Sequence, residues 1–182
     1  MENKNFKKLE IKDYVTNVFT DFKEDWALCT AGSLKDHNSL TIGWGSLGVL
    51  WRKNVCTVYV RGSRYTNNYL LNNDYFTVSF YSEENREALK MYGTVSGRDK
   101  NKDELSGFKA FDFDGGISYE EADLVIVCKK IYQDDFKPEL FLSKDIDDFY
   151  APTIEKDPTY HYYYIGEIVS IYKKVKKSAT VL

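Results

Sequence analysis

Between Trp26 and Tyr81 the chain passes through four short β-type runs: WALCTAG, SLTIGWGSLGVLW, VCTVYVR and YFTVSFY. This succession restricts the possible folds more than any other feature. Each run is rich in β-branched and aromatic residues and is bounded by polar turn clusters, such as KDHN at 35–38 and RKN at 52–54. The connections are too short for helical crossovers, which favours an antiparallel meander or Greek key over a parallel sheet. Two longer strands are expected later, in ISYEEADLVIVCKKIYQDDF and HYYYIGEIVSIYKK. A sheet of about six such strands has to close into a barrel or form a sandwich to avoid long open edges, and a closed or split barrel is the favoured form. The expected fold is mainly β, with a few short flanking helices.

Helical patterns interrupt this series. Phe6, Leu9, Tyr14, Val15, Val18 and Phe22 recur at three- and four-residue spacing, which predicts a short amphipathic helix or two turns, as an N-terminal helical extension over residues 1–24. A helix is expected in RYTNNYLLNN, residues 64–73. A second is expected after Tyr81, where Ser82 can cap EENREALKMYG and Gly93 can end it. TVSGRDKNKDELSG reads as a polar loop, and residues 174–182 as a short, basic, solvated tail. No Pro/Gly/Ser-rich linker divides the chain, so residues 1–182 read as one domain.

Composition narrows the function classes. A formal net charge of −3 argues against a nucleic-acid partner held by phosphate neutralisation, though a local basic patch can still bind a small anion. The N-terminus is charged from its second residue and no later stretch approaches a membrane span, so a cytoplasmic protein is expected. Cys29, Cys56 and Cys128 sit far apart in apolar runs and read as buried thiols in a reducing compartment. With only His37 and His161, and no GxSxG elbow, a hydrolase triad has no support. The pairs Asp134/Asp135 and Asp147/Asp148 lack metal-site spacing and read as solvated, so no metal is expected.

Three segments carry possible binding chemistry. Glycines within TIGWGSLGVLW mark either a close approach by a flat ligand, with Thr41, Trp44 and Ser46 near, or simple strand curvature. RGSRYTNNYL places Ser63 where a helix N-cap would stand, with Arg61, Arg64 and Thr66 around it. It is either a phosphate site or an ordinary cap with solvated arginines. SGRDKNK, Ser96 to Lys102, repeats that composition in a glycine-bearing loop.

Taken together, NSLTIGWGSLGVLWRKNVCTVYVRGSRYTNNYLLNNDYFTVSFY, YGTVSGRDKNK and HYYYIGEIV resemble the flavin reductase-like, FMN-binding split-barrel family, particularly its flavoredoxin-like branch. The likeness runs from about Trp26 to Ile171. It implies a six-stranded antiparallel Greek-key split barrel, a homodimer, and FMN near the dimer interface. By motif it assigns Asn38, Thr41, Gly43, Trp44, Gly45 and Ser46 to the isoalloxazine ring, and Arg61, Ser63, Arg64, Tyr65 and Thr66 to the phosphate. Ser96, Gly97, Arg98, Asp99 and Lys102 would approach the cofactor, in one arrangement from the partner subunit. NAD(P)H-using relatives carry a histidine five residues before the glycine of the last strand, which helps place the nicotinamide. His161 and Gly166 keep that spacing, while Tyr160 replaces a common aspartate; otherwise His161 is an exposed strand-edge residue. The implied activity is electron transfer from NADH or NADPH through FMN to a flavin, a metal complex or a redox protein. The competing readings are a flavoredoxin-like carrier without nicotinamide turnover, and a barrel that binds some other ligand.

Overall fold

The computed structural model describes residues 4–175. In chain order the strands and α-helices are β1 Phe6–Leu9, α1 Val18–Thr20, β2 Ala27–Gly32, β3 His37–Ile42, β4 Gly45–Leu50, β5 Lys53–Arg61, α2 Tyr65–Asn72, β6 Tyr75–Phe80, α3 Arg86–Thr94, α4 Lys102–Ser106, β7 Ala110–Phe113, β8 Gly116–Tyr119, β9 Leu124–Asp135, α5 Lys144–Ile154 and β10 His161–Lys174. One sheet has the order β3-β2-β6-β9-β10-β5-β4, with β1 added alongside β10. All its pairings are antiparallel. β7 and β8 form a separate hairpin.

The run LVIVC in β9 is buried almost throughout because its two faces serve two cores. Ile126 and Cys128 join Cys29, Val58, Phe76 and Tyr164 inside the barrel. Val125 and Val127 join Leu28, Leu89, Tyr92 and Tyr119 beneath α3 and the β7–β8 hairpin. A strand covered on both faces loses its polar alternation, which is what this run shows. β10 covers the barrel with alternate residues, Tyr164, Gly166 and Ile168 being buried and Ile165 and Glu167 less so. Cys29, Cys56 and Cys128 are all free and buried, and burial pushes the Cys29 and Cys128 thiols far up, so they behave as apolar filling.

The architecture is the mainly antiparallel split barrel expected, with specific differences. The main sheet has eight strands because SLTIGWGSLGVLW breaks at Gly43 and Trp44 into β3 and β4, and because FKKL forms β1 against Ile171–Lys174. The N-terminal helical extension is therefore wrong for its first part. Only single turns follow β1: Ile11–Asp13, α1, and a π turn over Asp21–Asp25. The helix after Tyr81 opens with a 3-10 turn over Glu83–Asn85 and runs on through Gly93 to Thr94, and Ser82 makes no side-chain cap. The loop TVSGRDKNKDELSG contains α4, capped by Asn101, which accepts from the N–H groups of Asp103 and Glu104. The expected tail falls on Lys174 and Val175 and otherwise lies outside the described residues. Among the described residues no helix is long and apolar enough to cross a membrane.

Candidate functional site

Where β5 ends, the turn Gly62–Arg64 brings the start of α2 beside β3, and the loop between α3 and α4 closes over both. A cavity of about 270 Å³ lies between them, lined by Asn38, Arg61, Ser63, Arg64, Tyr65, Thr66, Ser96, Gly97, Arg98 and Lys102 with Leu40, Tyr92, Thr94, Val95 and Asp157. Three sequence segments that are far apart in the chain thus meet at one place. Asn38 Nδ2 donates to Thr66 Oγ1 at 2.5 Å, tying β3 to α2. A Cβ on Gly97 would stand 2.9 Å from Asn38 Cγ and closer still to its Oδ1, so only glycine lets the loop settle there.

The cations differ in what they already do. Lys102 is 6% exposed, and its Nζ donates to the carbonyls of Ser39 (2.8 Å) and Tyr92 (2.9 Å). Burial, with the Arg64 charge adding to it, lowers its pKa to about 8. Arg98 donates from Nη1 to the Ser63 carbonyl at 3.1 Å and lies over the Tyr65 ring at 5.0 Å. Arg64 is exposed and makes one such bond, to the Gly93 carbonyl at 3.2 Å. These three side chains keep donors to spare at the cavity.

Arg61 and Ser63 are engaged differently from the expectation. α2 begins at Tyr65, so its N-cap is Arg64, in extended backbone and without a side-chain cap bond. Ser63 is one residue too early to cap. Its Oγ donates instead to Asp157 Oδ2 at 2.5 Å. Arg61 Nε donates to the Thr159 carbonyl (3.1 Å), Nη1 to Thr153 Oγ1 (2.9 Å) and Nη2 to the Asp157 carbonyl (2.9 Å), and Nε stands 3.0 Å from Asp157 Oδ2. Arg61 therefore anchors the segment between α5 and β10. No local signal pointed to Asp157, whose partners Arg61 and Ser63 lie more than 90 residues earlier.

The glycine-rich block lies largely outside this cavity. Thr41 Oγ1 donates to the Leu89 carbonyl, which fixes α3 on β3. Gly43, Trp44, Gly45 and Ser46 line a groove of about 1120 Å³ with Phe22, Trp26 and Tyr59. A Cβ on Gly45 would lie 2.7 Å from Phe22 Cδ1 and closer to its Cε1, whereas Gly48 faces open space. The close approach at Gly45 is thus made by the chain's own ring. Trp44 packs on His161 with ring centroids 4.6 Å apart and on Phe149 at 5.4 Å. His161 is half-buried and accepts or donates at Nδ1 with the Tyr150 hydroxyl at 2.7 Å. Burial, then the charges of Arg61 and Arg64, lower its pKa to about 4 and keep it neutral. Arg61 and His161 are paired across β5 and β10, so one residue pair links the anion cavity to the aromatic groove. Asp99 faces a neighbouring cavity beside His37 and Asp103. Asp134 and Asp135 pair with Lys137 at the surface.

The donor set suits a phosphate monoester. Arg64, Arg98 and the Lys102 ammonium can meet phosphate oxygens, with Thr66 and Ser96 hydroxyls and the α2 N-terminus beside them. Trp44, Tyr59 and the exposed main chain around Gly43 offer a flat apolar surface nearby.

A barrel of this strand order with short helices over one end is the split-barrel fold of the flavin reductase-like FMN-binding proteins. The chain is similar to the crystal structure of flavoredoxin from Methanosarcina acetivorans, with 22% identity and a TM-score of 0.65 over 92% of this chain and 76% of that one. It is similar to an FMN-binding domain of a flavin reductases-like enzyme from Shewanella baltica (15%, TM-score 0.65, 93% and 78% covered). A third likeness is to an FMN-binding protein from Thermus thermophilus with bound p-hydroxybenzaldehyde (15%, TM-score 0.65, 93% and 83% covered). No protein-family model and no curated protein matches the sequence.

Proposed function

We propose that the chain is an FMN-binding, flavin reductase-like oxidoreductase that passes electrons from NADH or NADPH to a flavin, a metal complex or a protein acceptor. The observation that carries this reading is the convergence of Arg64, Arg98, Lys102 and Thr66 on one cavity, in a fold shared with FMN-binding proteins. Bound FMN would supply the redox chemistry. The chain's own part is to hold the phosphate with those cations and to present Trp44, Gly45 and Ser46 toward the ring system. A second copy of the chain would complete the site: β4 is an edge strand whose Val49 (75% exposed) and neighbouring Trp51 (60%) are left uncovered.

One observation favours a second reading, a flavin-binding electron carrier without nicotinamide turnover. His161 is packed on Trp44, bonded to Tyr150 and neutral, so it offers a nicotinamide little beyond one ring nitrogen. Titrating the purified chain with FMN tests flavin binding: a shifted flavin absorbance and altered fluorescence are expected, and no change in either sinks the proposal. Following NADH and NADPH oxidation with excess FMN then separates the two readings, because a carrier oxidises neither at a useful rate.

A further inference from the structure

The anion cavity already holds an anion that belongs to the chain. Asp157 lines it between α5 and β10. Its Oδ2 accepts from Ser63 Oγ at 2.5 Å and stands 3.0 Å from Arg61 Nε, while Oδ1 accepts from Thr159 Oγ1 at 2.6 Å. Two oxygens gathering a guanidinium and two hydroxyls use the kind of donor set that a phosphate group would use. Burial opposes ionisation, yet hydrogen bonds from Ser63 and Thr159 and the Arg61 charge hold the carboxyl below its usual value, so it is charged at neutral pH.

We propose that Asp157 is a specificity-determining residue of this site: its carboxylate is a built-in competitor that a phosphate monoester must displace from Ser63, so that a phosphorylated ligand exchanges readily. The proposal rests on the flavin reading only for the ligand's identity. It deepens that reading by making the flavin an exchangeable substrate.

A purely structural role for the carboxylate fits the geometry less well. Arg61 already holds the segment through the Thr159 and Asp157 carbonyls and Thr153 Oγ1, none of which involves the Asp157 side chain. Ser63 N–H also donates to Thr159 Oγ1 at 3.2 Å. Asp157 Oδ1 accepts from the Thr159 N–H at 3.3 Å and hydroxyl at 2.6 Å within the segment, while Oδ2 occupies Ser63 Oγ, and the charge lowers the positive potential of a cavity lined by Arg61, Arg64, Arg98 and Lys102. A negative group beside a dianion's position costs affinity for the dianion and leaves a neutral ligand unaffected.

The test compares the wild-type chain with Asp157→Asn, which keeps the size and shape of the side chain, removes its charge and exchanges one of its two acceptor oxygens for an NH2 donor. FMN, riboflavin and inorganic phosphate are titrated separately, flavins by fluorescence and phosphate by calorimetry. Asp157→Asn is expected to bind FMN and phosphate on the order of tenfold more tightly, the change produced by about 1.4 kcal/mol of relieved repulsion, with riboflavin unchanged. Equal or weaker FMN and phosphate binding overturns the proposal, and shows the carboxylate to position Arg61 and Ser63. If phosphate tightens while neither flavin binds either form, the proposal stands and the flavin reading falls. If FMN binds both forms equally, the flavin reading stands and the proposal falls. Should Asp157→Asn fail to fold by circular dichroism, Asp157→Thr provides the same comparison.

Discussion

His37 Nε2 lies 2.8 Å from Asp103 Oδ2, and the other oxygen of that carboxylate accepts from the hydroxyls of Tyr119 at 2.7 Å and Tyr92 at 3.0 Å. A charge-assisted bond across the end of the second core thus joins β3 to α4. Burial works against a charged His37, but Asp103, the Ser33 carbonyl and Asp36 outweigh it and raise its pKa above 6.5.

The only other histidine, His161, moves the opposite way, to about 4. Proton NMR of the imidazoles should therefore give two titrations on opposite sides of 6.5, assigned by His161→Gln. The stability effects also oppose each other. A raised His37 stabilises the fold below 6.5 and loses that contribution as pH climbs through its folded pKa. A depressed His161 costs nothing above 6.5 and destabilises as pH falls from 6.5 toward 4, when the unfolded chain binds the proton and the folded one does not. Two coincident titrations near 6.5 would contradict both placements.

Lys102 supplies a second pH signature. Its folded pKa of about 8 lies below the ordinary 10.5, so between those values the unfolded chain binds more protons than the folded one. Stability should therefore rise with pH through that window. Tyrosine ionisation in the unfolded chain obscures this near pH 10, so the comparison is between wild type and Lys102→Met. From pH 7.5 to 9.5 the wild type should gain on the order of 2 kcal/mol over the variant in urea unfolding. Parallel pH profiles would mean that the ammonium is not desolvated.

Much of this frame can be read from local pattern. β2, β5, β6 and β10 alternate or run apolar over enough residues to be recognised, and the blocks RGSRYT and SGRDKNK meet with Asn38 at one cavity, while the glycine-rich block lies largely outside it. β1 escapes because FKKL offers one alternation in four residues, and its strand character comes from pairing with Tyr172 and Ile171. α5 escapes because KDIDDFYAPTI has three aspartates and a proline, a weak helix by propensity that is held through Tyr150 against Phe141, Tyr160 and His161. The role of Ser63 escapes for a sharper reason. Cap or ligand was the local choice, and its partner Asp157 is brought by tertiary structure alone.

Gly97 ties the fold to the cavity in a way that one methyl group can test. In Gly97→Ala the new Cβ would meet Asn38 at 2.9 Å or less and Tyr65 Cδ1 at 3.0 Å. Asn38 is buried and holds Thr66, so it cannot yield without straining its 2.5 Å bond to Thr66 or lifting the loop. A loss of about 1–3 kcal/mol in denaturant stability is expected, the usual cost of overpacking. Because the loop carries Arg98, phosphate affinity should fall with it. Unchanged stability and affinity would show that the loop moves freely.

Arg61 and Arg64, three residues apart in one motif, should separate cleanly when each is replaced by alanine. Arg61→Ala removes four contacts to the 153–159 segment and leaves the Thr159 and Asp157 carbonyls short of a donor. It should cost about 1–3 kcal/mol of stability and expose that segment to protease, since a partner of a half-buried charged network is lost. Arg64→Ala removes an exposed side chain with one bond to the Gly93 carbonyl, so stability should change by about 0.5 kcal/mol or less. Its effect should instead fall on the ligand, weakening FMN or phosphate by on the order of 1–2 kcal/mol. The reverse assignment, with Arg64 structural and Arg61 dispensable for the segment, would require Arg61 to leave its partners for the phosphate. Hydrogen exchange at Thr153–Tyr160 with and without FMN would detect that exchange of partners directly, as faster exchange in the bound state.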